Sequence, residues 1–275
     1  MSLLLRRHIL MGSGWHPLYR AVLERAVGAG YALPSYQCMQ LQNTLVTDLV
    51  NNGCWGILDY FYVYAHNSGD NDMARINWVQ PLKSLSTGTP TYVAKKGLYG
   101  TIVHDGFNIV TDRINMTSHT HVSMFCFLTE NGGAISTVEA LVGINNPNLG
   151  SGNQQTIRLR TNPRVDYLWN SPTSGAAVLL AGLPSDNHLY QLDTGNPGTG
   201  LKHVAYVNAS KVVDLTPSGG ALPDTGNAST GQTFAVTSAR AVGLIGGGGS
   251  FYANSKNVTL YNTISQYMTA VQALP

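Results

Sequence analysis

The sequence predicts a mainly β protein: an antiparallel β-sandwich of jelly-roll type, with a helical hairpin ahead of it and a short helix behind. Three observations predict this. Charged residues make up only 11% of the chain, against a usual share of roughly 25%. Glutamate, a mainstay of soluble helices, occurs only as Glu24, Glu130 and Glu139, while 30 glycines and 14 tyrosines enrich the turn and strand formers. From Ile57 onward, short apolar runs alternate with turn signals, and no helical pattern lies between them to build a parallel sheet.

Residues 15–53 read as the helical hairpin. Pro17 suits a first helical turn, Leu18, Val22, Leu23, Ala26 and Val27 form one stripe, and Gly28 and Gly30 stop it. Ser35 caps a second helix in which Leu41, Leu45 and Leu49 recur every four residues before Asn52–Gly53. The period then changes. Ile57–Tyr64 is a β-branched and aromatic run, and strands follow near 74–79, 98–103, 121–129, 137–144, 155–160, 165–169, 176–181, 187–193, 201–208, 211–215 and 233–245. Turn signals include Asn131–Gly133, Asn145–Asn148, Gly195–Gly198 and Pro217–Gly220. Such spacing indicates a sandwich or jelly roll. Gly246–Ser250 reads as a flexible turn, after which Asn257 caps a closing helix with Val258, Tyr261, Ile264 or Ser265, Met268 and Val271 on one side. The organisation is therefore an extended leader at 1–14, a helical segment at 15–53 and a sandwich with closing helix at 54–275.

The bulk properties exclude several partners. A net charge of +2 is too small to argue for nucleic acid through phosphate neutralisation. No stretch approaches ~18 uninterrupted apolar residues, so no membrane span is expected. Cys38, Cys54 and Cys126 are odd in number and widely spaced, which reads as buried structural thiols rather than a disulfide framework.

The wording of Thr44–Tyr64, followed by Ala74–Trp78, resembles the opening of tailed-bacteriophage virion structural proteins, in which a helix leads through a glycine–aromatic phrase into an aromatic first strand. Gly106–Asn108 and His119–Phe127 occupy the comparable middle stretch, and Ala241–Gly246 with Leu260–Ala270 looks like the last strand and closing helix of concanavalin A-like (laminin-G-like) domains in phage fibres. The resemblance covers about residues 31–275. Where many relatives place an Asn-Gly hairpin, this chain has Tyr206–Ala209; Asn208 still tolerates positive φ. The resemblance implies a fibre, spike or capsid accessory assembled in a host cytoplasm and carried on the virion, a homo-oligomer such as a trimer, with a lectin-like domain that meets host-surface glycans.

The residues supply little chemistry. A glycosidase needs two carboxylates about 5–9.5 Å apart, and no strand carries acids two or four apart: Glu139 stands alone and Glu130 sits beside a turn. The expectation is a non-enzyme without a cofactor; the alternative is a free lectin or laminarinase-like hydrolase on the same fold. His119 and His121 share a strand face and Asp70–Asp72 offers oxygens, but each set lacks the further ligands a metal needs, so no metal is expected. Gly246–Ser250 lacks the lysine of a phosphate loop. Aromatics and amides of the type that hold sugars are Tyr167, Trp169, Tyr190, Asn145, Asn146 and Asn187. The leader, with Leu3, Leu4, Leu5, Arg6, Arg7, Ile9 and Leu10, is apolar and basic, and is expected to dock on another virion protein.

Overall fold

A computed structural model describes residues 14–68, 72–82, 90–104, 115, 121–130, 139–145, 154–160, 164–168, 176–178, 187–216 and 233–275. The fold is mainly antiparallel β with a few helices.

Helix α1 (Pro17–Ala29) begins with proline in its first turn and ends at Gly30, whose φ of 79° is the left-handed cap that glycine adopts freely. In α2 (Tyr36–Asn51) the Ser35 hydroxyl accepts from Cys38 N at 3.2 Å, the expected cap. Helix α3 (Asn257–Gln272) departs from expectation twice. Lys256 is the cap residue and Asn257 makes no capping bond; its amide oxygen instead accepts from Gln191 Nε2 at 2.6 Å. The buried face is Leu260, Ile264, Tyr267, Met268 and Val271, whereas Val258 is 57% exposed.

Twelve strands are present among the described residues: β1 (Leu58–Val63), β2 (Thr91–Val93), β3 (Gly97–His104), β4 (Val122–Glu130), β5 (Glu139–Asn145), β6 (Gln154–Arg160), β7 (Arg164–Leu168), β8 (Ala176–Val178), β9 (His188–Gly195), β10 (Lys202–Val207), β11 (Ser210–Leu215) and β12 (Thr233–Gly248). The strand expected at 74–79 does not form. A 3-10 helix, Asp72–Arg75, stands there, and the chain after it covers the outer edge of β1: Asn77 Oδ1 accepts from Phe61 N and Val79 N, both at 3.1 Å, and Trp78 N donates to Phe61 O. An edge strand needs such a cover against pairing with other chains. Strand β2 had no sequence signal.

The 16-residue β12 organises the sheet. Its first half pairs with β3 and β5, its second with β1 and β4, and register breaks near Ala241–Leu244 separate the two. From β5 the order continues β6-β7-β8; from β4 it continues β9-β10-β11. The two halves enclose one core, with Val142, Ile157, Val165 and Tyr167 on one side and Tyr60, Tyr62, Met124, Cys126, Tyr190 and Leu192 on the other. Alternate residues of the second half (Phe61, Val63, Phe125, Phe127, Leu189 and Leu244) face the three helices in a second core. Both faces of β1 and β4 are thus buried, which is why they read as unbroken apolar runs rather than alternating ones. Each such side chain contributes roughly 1.5–3 kcal/mol by leaving water.

Gly246–Gly248 is not a flexible turn. It is the end of β12, threaded between β1 and β4. A Cβ on Gly246 would lie 2.8 Å from Phe125 Cε2, and one on Gly248 would lie 2.7 Å from Asp59 N and closer still to Ile57 O. Glycine is required there for close backbone approach rather than for a turn. The two-residue turn Asn208–Ala209 joins β10 to β11 with φ of 50° and 64°, the left-handed pair of a hairpin turn.

Candidate functional site

An open cleft of about 290 Å³ lies where the β2–β3 turn, the end of β4 and the end of α3 meet, lined by Ala94, Lys95, Lys96, Thr129, Glu130 and Gln272. Its turn is held from behind. Lys95 N and the Tyr92 hydroxyl both donate to His66 O, Tyr92 stacks on the His66 ring at 4.9 Å, and Ser68 N donates to His66 Nδ1. That last bond leaves the imidazole proton on Nε2. Burial pushes His66 down to about 3, so the ring is neutral and acts as a fixed prop. Lys95 adopts a φ of 66°, and Gly97 follows with a φ of 119°, at a point where a side chain would also strike Val242 C at 2.7 Å. The Thr129 hydroxyl bridges Lys96 O at 2.6 Å and Ala241 O at 3.1 Å, fastening the turn to the central strands.

The polar groups of the cleft converge on Glu130. Lys96 Nζ donates to Glu130 Oε2 at 2.8 Å, and the Tyr99 hydroxyl donates to the same oxygen. These two bonds hold the carboxyl below its ordinary range, so it is ionised at neutral pH. None of the described residues reaches Oε1. Lys95 Nζ donates to Leu274 O, and Gln272 Nε2 donates to Asn187 Oδ1 at 2.8 Å. The cleft therefore offers a carboxylate oxygen as acceptor and an ammonium and an amide as donors, with no aromatic face among the described residues of its lining.

The sugar-contact candidates fare unequally. Asn187 stands at the rim of this cleft through Gln272. Tyr167 and Tyr190 are 0% exposed within the core between the sheet halves, which removes them as contacts for a ligand at the surface. The backbone of Asn145 pairs with Gln154 at the end of β5. Asn146 and Trp169 lie outside the described residues, as do leader residues Leu3, Leu4, Leu5, Arg6, Arg7, Ile9 and Leu10 and the metal candidates His119, Asp70 and Asn71. Among the described residues no group of three or more His, Cys, Asp or Glu side chains is placed to hold a metal, and no helix is long and apolar enough to cross a membrane. The three cysteines are buried and unpaired. Lys95, Lys96 and Gln272 carried no sequence signal as site residues: they are ordinary surface types, and 34 residues separate Lys96 from Glu130.

A second polar centre, entirely buried, sits under the start of α3. Asp193 accepts from Ser250 Oγ at 2.6 Å, Phe251 N at 3.0 Å, Tyr252 N at 3.1 Å and Gln191 Nε2 at 3.2 Å. Burial outweighs these donors and pushes its carboxyl up to about 7. Its bonds tie the segment after β12 to the sheet, a fastening rather than an accessible site.

No family model and no curated protein sequence matches the chain. Its fold is similar to that of Trypanosoma rangeli sialidase, at a TM-score of 0.50 and 12% identity, with 83% of this chain and 39% of that one covered. The sialic acid complex of that sialidase gives the same values, and its covalent intermediate with 2,3-difluorosialic acid gives 0.50, 11%, 83% and 40%. The chain spans about two fifths of the length of these sialidases. At this identity the likeness is one of fold. It nonetheless corrects the expectation of a non-enzyme: the architecture is found in glycoside hydrolases, so the missing acid pair is no ground for excluding catalysis. Nothing among these relatives points to a phage virion protein.

Proposed function

We propose that this chain is a glycan-binding or glycoside-processing domain, built on a sandwich of the concanavalin A-like jelly-roll type, with the Lys96–Glu130–Gln272 cleft as its contact surface. The observation that carries the reading is the ionised Glu130 carboxylate, with one oxygen that no described residue reaches, beside an ammonium and an amide in an open cleft. Few but well-placed polar groups in a preformed concavity are what orients a small polar ligand. The fold shared with sialidases supports the same class.

The test is to probe the full chain against a printed panel of glycans and, in parallel, against fluorogenic glycosides. Retention without released fluorophore defines a binding module, and release defines a hydrolase. A chain that is neither retained on the panel nor able to release fluorophore overturns the reading.

Carriage of this domain on a bacteriophage particle, in contact with other virion proteins, is proposed alongside on the wording of Thr44–Tyr64. Immunogold labelling of intact particles with an antibody against residues 57–256 tests it, and particles without label overturn it.

A further inference from the structure

We infer that the cleft takes the neutral, vicinal-diol end of a glycan and rejects acidic sugars such as sialosides. This inference rests on the glycan reading above and names the chemistry of the ligand. Three features of the cleft lead to it.

The first is how the Glu130 donors are distributed. Lys96 and Tyr99 both converge on Oε2. Oε1 therefore keeps its lone pairs for a ligand, while Lys96, with three ammonium protons, keeps donors beyond the one it spends on Glu130. An acceptor and a cationic donor side by side match two adjacent hydroxyls: one donates to Oε1 and its neighbour accepts from Nζ. Charge-assisted bonds of this type are about twice as strong as neutral ones.

The second is the sign of the charge. Glu130 is ionised, so a sugar carboxylate entering the cleft meets a like charge. Lys96 spends its charge on Glu130, and Lys95 keeps its charge but directs Nζ to the carbonyl of Leu274 beyond α3, so neither ammonium is aimed at an incoming carboxylate. Among the described residues no arginine fork, the group suited to a carboxylate, lines the cleft.

The third is shape. At about 290 Å³, with Ala94 and Thr129 but no aromatic ring among the described residues of its lining, the cleft suits one terminal sugar held by its edge rather than a long chain stacked by its faces.

The experiment measures binding of the full chain to small methyl glycosides by saturation-transfer NMR and calorimetry. The probes are a neutral methyl hexoside, the same hexoside O-methylated at one of two vicinal hydroxyls, and a methyl sialoside. The neutral hexoside is expected to bind, the O-methylated one to bind roughly tenfold more weakly, and the sialoside not to bind. Glu130→Gln keeps the size of the side chain and removes its charge. It is expected to weaken the hexoside at least roughly tenfold with an unchanged melting temperature, since Glu130 is partly exposed. Preference for the sialoside, or equal binding of hexoside by wild type and Glu130→Gln, overturns the inference and leaves the glycan reading standing. Binding of none of the sugars, with the printed panel also blank, overturns both.

Discussion

The carboxylate of Asp193 on β9 accepts the hydroxyl of Ser250 at 2.6 Å across 57 residues of sequence, and both groups are fully buried. Through this contact and the amides of Phe251 and Tyr252 it anchors the chain as it leaves the central strand for α3. Tyr206 lies close enough for the Asp193 charge to help push its phenol up to about 12, after the larger effect of burial.

Burial of the Asp193 carboxyl makes stability depend on pH. The Asp193 carboxyl is pushed from 3.8 up to about 7 by burial, so the folded state binds this proton more tightly than the unfolded chain does. Its contribution is fully present below about 4 and is lost as pH rises through about 7. Melting temperature is expected to fall between pH 5 and pH 8, and Asp193→Asn to flatten that slope. Equal slopes in the two proteins, read by calorimetry, would rule this out.

Gly248 is expected to tolerate no side chain. A Cβ there meets Ile57 O and Asp59 N, backbone atoms of the paired strand that cannot swing away. Gly248→Ala should lose about 3 kcal/mol or more in urea unfolding. Gly56→Ala, where a Cβ meets nothing within 4 Å, serves as the control and should change stability little. Similar midpoints for the two variants would refute the packing argument.

Ala209 occupies a left-handed position, φ 64°, that costs an L-residue about 1–2 kcal/mol. Ala209→Gly is therefore expected to stabilise by roughly 1 kcal/mol. Asn208→Ala should destabilise, because Asn208 Oδ1 also accepts from Leu189 N at 2.8 Å and pins the hairpin tip to β9. A denaturation midpoint that moves the wrong way in either variant contradicts this account.

The thiols are expected to be inert in the folded protein. Burial pushes Cys38 and Cys54 up to about 11 and Cys126 further still, so almost no thiolate exists at pH 8. Titration with an aromatic disulfide reagent should count no rapidly reacting thiol before urea is added and three afterwards. Fast labelling in buffer would contradict the burial.

Local signals carried much of the architecture. Pro17, Gly30 and Ser35 marked helix ends because capping depends on neighbours within one turn. The aromatic run at β1 and the apolar run at β4 marked strands because residue type follows burial on a pleated surface. The strand expected at 74–79 failed because Asn77 and Trp78 bond to Phe61 rather than continuing a ladder, a partner choice made in space.

By itself, then, the sequence determined that the chain is mainly β, where most strands and all three described helices run, and that its cysteines are buried. These properties follow from composition and short-range periodicity. Tertiary structure decided the rest. It turned Gly246–Gly248 from a presumed loop into a closely packed stretch of the sheet, because only neighbouring strands reveal how little room there is. It sent Tyr167 and Tyr190 into the core and brought Asn187 to the rim of a cleft with Gln272. It also assembled Lys96, Tyr99 and Glu130 into one polar centre. Their convergence depends on how β2, β3 and β4 lie against one another, a long-range relation that no local pattern encodes.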